Sequence, residues 1–351
     1  MKDVMDKTKK VSLELLPSLL AVISALIVGT IIIILIGQNP MAAYKAMFKG
    51  AFGDMRAFGN TLQRATPYIF GALSFLMAAN GGLFNIGIEG QMYIGAFLSA
   101  IIGFSLTGVP KFLHLPLTLI VAMLGGMVWA CIPAILKVKR GVHEVIGTVM
   151  LNYIAFALTG YLTVHVFHDP GLVAQTFEVS QSSILTELVA TSKLNTGFII
   201  SLFLCVGLFI FLYYTPWGYG IRVNGLNSTA SPYAGINPKK VMMASMVASG
   251  AISGLMGAER VLGVYHKFIH AFSPGYGFTA IAVSLLGKNH PLGIIPAAIL
   301  FGALETGGSA MSIQVDVPRE LGLILQALII VFIASAQFIN KKIVAMNGEV
   351  R

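Results

Sequence analysis

Ten stretches free of Asp, Glu, Lys and Arg dominate this 351-residue sequence, each long enough to cross, or nearly cross, a bilayer. They run 15–44, 65–88, 90–110, 112–136, 145–168, 194–221, 241–258, 268–287, 289–304 and 321–340. A helix needs about 20 apolar residues to span hydrocarbon, with a usual range of about 17–25. Inside lipid the backbone must satisfy its own hydrogen bonds, so these stretches are predicted to be helices. The expected fold is therefore all-α, a polytopic membrane protein of about ten transmembrane helices. The stretch 289–304 is short, and 268–287 opens with Pro274, Gly275 and Gly277. Those two helices are predicted to be short, tilted or broken.

Charge supports the same class. Only 23 basic and 14 acidic residues serve the whole chain, while 56% of it is apolar, too little charge to clothe a soluble protein of this size. The net charge of +9 does not form a basic stripe with interleaved aromatics, so it reads as topogenic charge rather than a nucleic-acid surface. With ten spans and both termini cytoplasmic, 14 of the 23 positive charges fall inside, led by Lys137-Val138-Lys139-Arg140 and Lys341-Lys342. The first apolar run is too long for a signal h-region and is expected to be a retained helix. Cys131 and Cys205 each sit in an apolar block and are expected to be core residues without a disulfide.

Two connections are longer and more polar: 169–193, expected outside, and 215–240, expected inside. Two Gly-rich interruptions also stand out, Asn80 to Gly87 and Ser273 to Phe278. Paired breaks in two halves are what inverted repeats look like, here spans 2–5 and 7–10, with the breaks on opposite sides of the membrane.

The run Asn80 to Gln91 packs four glycines, two Asn, one Glu and one Gln between apolar helices. Polar, broken backbone at membrane depth is tolerated only in a protein interior or beside water, so this run lines a pathway or forms a cytoplasmic turn. In 215–240, Asn227 or Ser228 is placed to cap a short helix over Thr229–Ala234 that Gly235 closes; this is a partner-docking element or an ordinary solvated loop. Glu89, Glu259 and Glu305 lie near span ends, where water is expected to solvate them, and the span centres carry no ionisable group. That pattern counts against a proton- or sodium-driven carrier. His266 and His270 are four apart, as residues sharing a helix face would be, but neither this pair nor His165 and His168 has a third ligand nearby, so they are expected to be interfacial. Gly250, Gly254 and Gly257, with Gly125 and Gly126, are expected to make close helix contacts within the chain. There is no GxSxG, HExxH, GxxxxGK[ST] or carboxylate pair, so the chain is not expected to be an enzyme, and any ATP must be bound by another subunit.

Three motifs together carry a resemblance: Gly82-Leu83-Phe84-Asn85-Ile86-Gly87-Ile88-Glu89-Gly90-Gln91, then Asn224-Gly225-Leu226-Asn227 with Tyr233-Ala234-Gly235-Ile236, then Gly277-Phe278-Thr279-Ala280-Ile281-Ala282-Val283-Ser284-Leu285-Leu286-Gly287. The sequence resembles the permease subunits of ABC importers of the branched-chain amino acid, ribose and nucleoside type, most closely the nucleoside branch. The resemblance implies one transmembrane permease domain over 1–351, in a bacterial cell membrane, with inverted repeats around a cavity. It implies alternating access driven by a cytoplasmic ABC ATPase, with no cofactor on this chain itself. It also implies a second permease, non-identical in the nucleoside branch, and an extracytoplasmic substrate-binding lipoprotein.

Pathway residues are expected at Asn80, Asn85, Glu89, Gln91, Asn152, Tyr153 and Glu305. ATPase coupling is expected at Arg222, Asn224, Gly225, Asn227, Tyr233, Gly235 and Ile236. Relatives usually carry charge in the short coupling helix, whereas this chain has Leu226-Asn227-Ser228-Thr229-Ala230-Ser231. The alternatives are a permease of the same fold for ribose-like sugars or branched-chain amino acids, and a self-sufficient secondary carrier.

Overall fold

A computed structural model describes residues 20–318, 320–332 and 335; the N-terminal basic head, the start of span 15–44, the end of span 321–340, Lys341, Lys342 and Arg351 lie outside the described residues. Among the described residues there are twelve α-helices and no strand beyond two isolated bridges. In order they are α1 (Leu20–Leu35), α2 (Pro40–Phe52), α3 (Met55–Asn80), α4 (Ile88–Ser105), α5 (Lys111–Arg140), α6 (Glu144–His165), α7 (Thr196–Tyr214), α8 (Pro216–Leu226), α9 (Pro238–Arg260), α10 (Tyr276–Leu286), α11 (Pro291–Val315) and α12 (Glu320–Phe332). Six are long and apolar enough to cross a bilayer: α4, α5, α6, α7, α9 with the π-turn Val261–Tyr265 that continues it, and α11. The chain is a multi-pass membrane protein.

Several expected boundaries move. The stretch 15–44 is not one helix: α1 ends at Leu35, Gly37 takes φ 83°, and Asn39 caps α2 by accepting from the Met41 and Ala42 N–H groups, with Pro40 at the first helical position. Helix α3 starts at Met55 rather than 65, and runs through Arg56 and Arg64. Helix α10 is short, as expected, whereas α11 is not: it continues through Glu305 to Val315 for 25 residues. A charge marks where lipid ends, but backbone hydrogen bonding decides where a helix ends. His266 and His270 share no helix face, because His266 leaves the π-turn at φ 57° and the chain stays non-helical to Gly275.

The described residues divide into two compact units, 62–300 and the described parts of the two flanking segments. In the first, α4, α5 and α9 pack together most extensively, with α6 against α4. Small residues allow this. A Cβ at Gly254 would collide with the Ala122 carbonyl, and one at Gly126 with the Gly250 carbonyl. Outward faces of α5, α6 and α7 carry exposed Phe112, Leu124, Val128, Ile146, Ile154, Phe203 and Ile210, as lipid-facing helices do.

The connection 166–195 forms one 3₁₀ turn, Gln181–Ser183, and is otherwise strapped down. Thr176, Val179 and Leu185 donate backbone N–H groups to Phe268, His266 and Leu262, and Ser180 donates to Gly103 at the end of α4. His114, near the start of α5, pairs with Ser182 at 2.7 Å. In the flanking unit, Ile33, Ala43, Ala46, Met311, Val317 and Leu321 form the core, and Gly50 lies tight against Ala310.

Candidate functional site

The break between α3 and α4 is held by side-chain amides. Gly82 (φ 82°) turns the chain out of α3, and Asn85 Oδ1 accepts from the Gly87 N–H at 2.8 Å. Asn85 Nδ2 then donates to Gln91 Oε1 at 3.0 Å and to Ser249 Oγ at 2.8 Å. Ser253 Oγ donates to Gln91 Oε1 at 3.2 Å, and Ser74 Oγ lies 2.8 Å from Ser249 Oγ and 2.7 Å from Ser253 Oγ. This buried, uncharged network ties α3, α4 and α9 together, and its members satisfy one another. Asn85 and Gln91 stand out in the sequence, whereas Ser74, Ser249 and Ser253 do not. The available signal was Ser245, Ser249 and Ser253 at four-residue spacing along one face of α9.

Asn152 of α6 completes the break from the other side. Its Oδ1 accepts from the Gly90 N–H at 2.8 Å and its Nδ2 donates to the Ile86 carbonyl at 3.0 Å, serving backbone groups that the break frees. Tyr153 faces away and is 64% exposed.

Glu89, 2% exposed, sits in the first turn of α4 and accepts from the Gly277 N–H in the first turn of α10 and from the Ser273 hydroxyl. The two Gly-rich breaks thus meet at Glu89 and Gly277. Their helix N-termini converge on one carboxylate, where both macrodipoles favour negative charge.

The expected pathway and coupling residues also come together elsewhere. Asn80 donates to the Leu76 carbonyl and lines a cleft of about 320 Å³ with Tyr213, Arg222, Gly225 and Asn289. Arg222 donates from Nε to the Leu212 carbonyl at 2.9 Å, its guanidinium 4.7 Å from the Tyr213 ring centre. Asn224 Nδ2 donates to the Gly81 carbonyl at 2.8 Å, and its Oδ1 accepts from the Ser231 hydroxyl at 3.1 Å.

The segment read as loop from 215 is helical as α8 up to Leu226, because Thr215 caps it and Pro216 starts it. The short helix expected over Thr229–Ala234 is a 3₁₀ turn, Ser231–Ala234. Asn227 accepts from the Thr229 and Ala230 N–H groups before the turn, and Gly235 (φ 73°) closes it, with Ile236 N–H donating to the Ser231 carbonyl. Tyr233 stands 95% exposed at its tip.

The acidic residues are less solvated than expected. Glu259 and Arg260, 2% and 1% exposed, form an ion pair with Nε–Oε2 at 2.6 Å and Nη2–Oε1 at 2.8 Å. Asn195 donates to Glu259 at 3.1 Å, and Arg260 also donates to the Gln63 carbonyl at 3.2 Å. The pair neutralises itself, which a lone buried charge cannot do. Glu305 is half-buried in α11, in the flanking unit.

The family model described as branched-chain amino acid transport system, permease component, matches residues 57–334. A guanosine ABC transporter permease protein, NupP of Bacillus subtilis, is 38% identical over 93% of this chain and 95% of its own. A nucleoside ABC transporter permease protein, NupB of Lactococcus lactis, is 37% identical over 94% of this chain and 92% of its own. A glucose ABC transporter permease protein, TsgB13 of Haloferax volcanii, is 30% identical over 92% and 87%. No solved structure matches the chain.

Proposed function

This chain belongs to the family of permease components of branched-chain amino acid transport systems, and we propose that it is the membrane-spanning subunit of an ATP-driven importer for nucleosides. The observation that carries this reading is its identity of 37–38%, over more than nine-tenths of its length, with permeases named for guanosine and nucleosides. The chain is a transport subunit and not an enzyme; a cytoplasmic ABC ATPase binds the ATP. A second, non-identical permease and an extracytoplasmic binding lipoprotein complete the assembly.

The ten spans are α1, α3, α4, α5, α6, α7, α9, α10, α11 and α12, with both termini cytoplasmic and spans 2–5 and 7–10 as inverted repeats. Two observations support the alternation. Residues 179–182 bond to Gly103, His114 and His266, which groups the connection 169–193 with the end of α4, the start of α5 and the end of α9, and supports its reading as the outer connection. Lys137, Ser228 and Lys239 border one cleft, which groups the basic loop 137–140 with the coupling segment 215–240.

In the mechanism, ATP closes the ATPase pair and moves the segment around Tyr233, Gly235 and Ile236. Asn227 keeps that turn folded, and Asn224, with Arg222 and Gly225 beside it, passes the displacement to Gly81. The break carrying Asn80, Asn85, Glu89 and Gln91 then shifts against Asn152, changing which side the pathway faces, with Tyr153 and Glu305 as further polar contributors. The buried link from Asn224 to Gly81 supports this route.

The glucose permease relative favours a second reading, a sugar permease. Competition of nucleoside uptake by glucose and ribose in vesicles holding the full assembly tests the choice. Competition by nucleosides alone supports the first reading, and competition by the sugars alone overturns it.

A further inference from the structure

A cavity of about 360 Å³ lies where the two helix breaks meet, bordered by Glu89, Tyr93, Phe156, His270, Ser273 and Phe278. Its size falls within the range of about 300–1,000 Å³ typical of small-molecule sites. One wall is the non-helical stretch from His266 to Gly275, in which His266 and Ala271 both hold φ near 57° without being glycine. Such a conformation is disfavoured for a residue that carries a Cβ and persists where the surroundings enforce it. Non-helical backbone within a membrane domain is tolerated where it lines a cavity.

The lining has a distinct chemistry. Tyr93 and Phe156 rings stand 4.6 Å apart edge to face, Phe278 is half exposed, and no Lys or Arg lines the space. Glu89 supplies the one carboxyl group in the wall. It takes one hydrogen bond from Gly277 and one from Ser273, and a carboxylate has about four lone-pair sites, so acceptor capacity remains. Ser273 is itself fixed, accepting at Oγ from the Gly275 and Tyr276 N–H groups at 3.1 Å while its own N–H donates to the Tyr93 hydroxyl at 3.3 Å. An amino acid zwitterion would find no cation for its carboxylate here. A free sugar would leave most hydroxyls facing rings. A flat heteroaromatic ring with N–H donors on one edge suits both the aromatic walls and the acceptor.

We propose that this cavity is a nucleobase subsite, in which Phe156, Phe278 and Tyr93 contact the base faces and Glu89 accepts from its N–H edge, with His270 as a further hydrogen-bonding group. The proposal rests on the nucleoside-importer reading and adds to it the part of the solute that this chain grips.

Nucleoside uptake is measured in proteoliposomes containing the complete assembly, with wild-type chain and with Phe156→Ala, Phe156→Tyr, Glu89→Gln and His270→Ala. Glu89→Gln retains an acceptor for Gly277, and His270 is exposed, so neither depends on a refolded core. Phe156→Ala and Glu89→Gln are expected to raise KM roughly tenfold, about the loss of one stacked ring or one hydrogen-bond acceptor. His270→Ala is expected to raise it several-fold, and Phe156→Tyr, which keeps the ring, to raise it less than Phe156→Ala does. Free nucleobase should compete with uptake and ribose should not. Unchanged KM in Phe156→Ala, Glu89→Gln and His270→Ala, with wild-type nucleoside uptake intact, overturns the subsite alone. Absence of nucleoside uptake by the wild-type assembly overturns the importer reading and the subsite with it.

Discussion

The side-chain amide of Asn224, at the end of α8, donates to the backbone carbonyl of Gly81, the residue that follows α3. Through this bond the segment proposed to meet the ATPase holds the break that starts α4. Asn224→Ala should remove a buried bond worth about 1–3 kcal/mol once the stranded carbonyl is counted. The expected phenotype is uncoupling: the complex assembles and hydrolyses ATP, while nucleoside uptake per ATP falls several-fold. Parallel assays of hydrolysis and uptake on the same proteoliposomes check this, and an unchanged ratio would exclude the route.

Tyr233 projects from the 3₁₀ turn with 95% of its surface exposed, so Tyr233→Ala should leave the fold untouched. Exposed aromatic residues anchor interfaces, and losing one at an interface centre costs about 2 kcal/mol or more. Affinity for the ATPase subunit should drop at least tenfold, read by titrating purified ATPase onto the detergent-solubilised permease.

Packing gives a contrast between two glycines. A side chain at Gly254 must displace the Ala122 carbonyl and the Met123 backbone, whereas a Cβ at Gly207 in α7 meets nothing within 4 Å. Gly254→Val should destabilise by about 1–3 kcal/mol or more, and Gly207→Ala should stabilise by up to about 1 kcal/mol through helix propensity. Thermal unfolding of the two variants in one detergent compares them directly.

The buried Glu259–Arg260 pair predicts strong coupling. Arg260→Met leaves Glu259 uncompensated and should cost about 3–5 kcal/mol; adding Glu259→Gln should recover part of that loss. A double-mutant cycle on unfolding midpoints measures the interaction, and additive costs would contradict a mutually neutralised pair.

His266 lies outside the spanning helices. Burial first, and then the Lys193 ammonium, hold its imidazole below its ordinary value of 6.5. The unfolded chain therefore takes up this proton more readily than the folded one. The stability it contributes is full above about pH 6.5 and is lost as pH falls through the lower folded value. His266→Gln should flatten the dependence of melting temperature on pH in that window.

Breaks in the chain were legible wherever the backbone needs a special residue: Gly82 and Gly275 at positive φ mark the two interruptions, and Gly235 marks the end of the coupling turn. Helix ends were not legible from charge. Arg56, Arg64 and Glu305 lie inside α3 and α11, because a charged side chain does not interrupt a backbone hydrogen-bond ladder. Asn39-Pro40 carried a cap-and-start signal that a count of uncharged residues passes over. Asn85, Glu89, Gln91 and Asn152 stood out as polar residues among apolar ones. Their partners Ser74, Ser249 and Ser253 did not, since a serine in a helix usually satisfies itself on the preceding turn. Nor does sequence spacing announce that Gly277, 188 residues away, approaches Glu89. That contact belongs to the tertiary fold.

Radiolabelled guanosine, adenosine and uridine uptake into proteoliposomes tests the central claim most directly, with this chain alone and then with its ATPase, second permease and binding protein. Uptake that appears only with the complete set and ATP is the predicted result. Uptake by the chain alone, following a proton or sodium gradient, would contradict it.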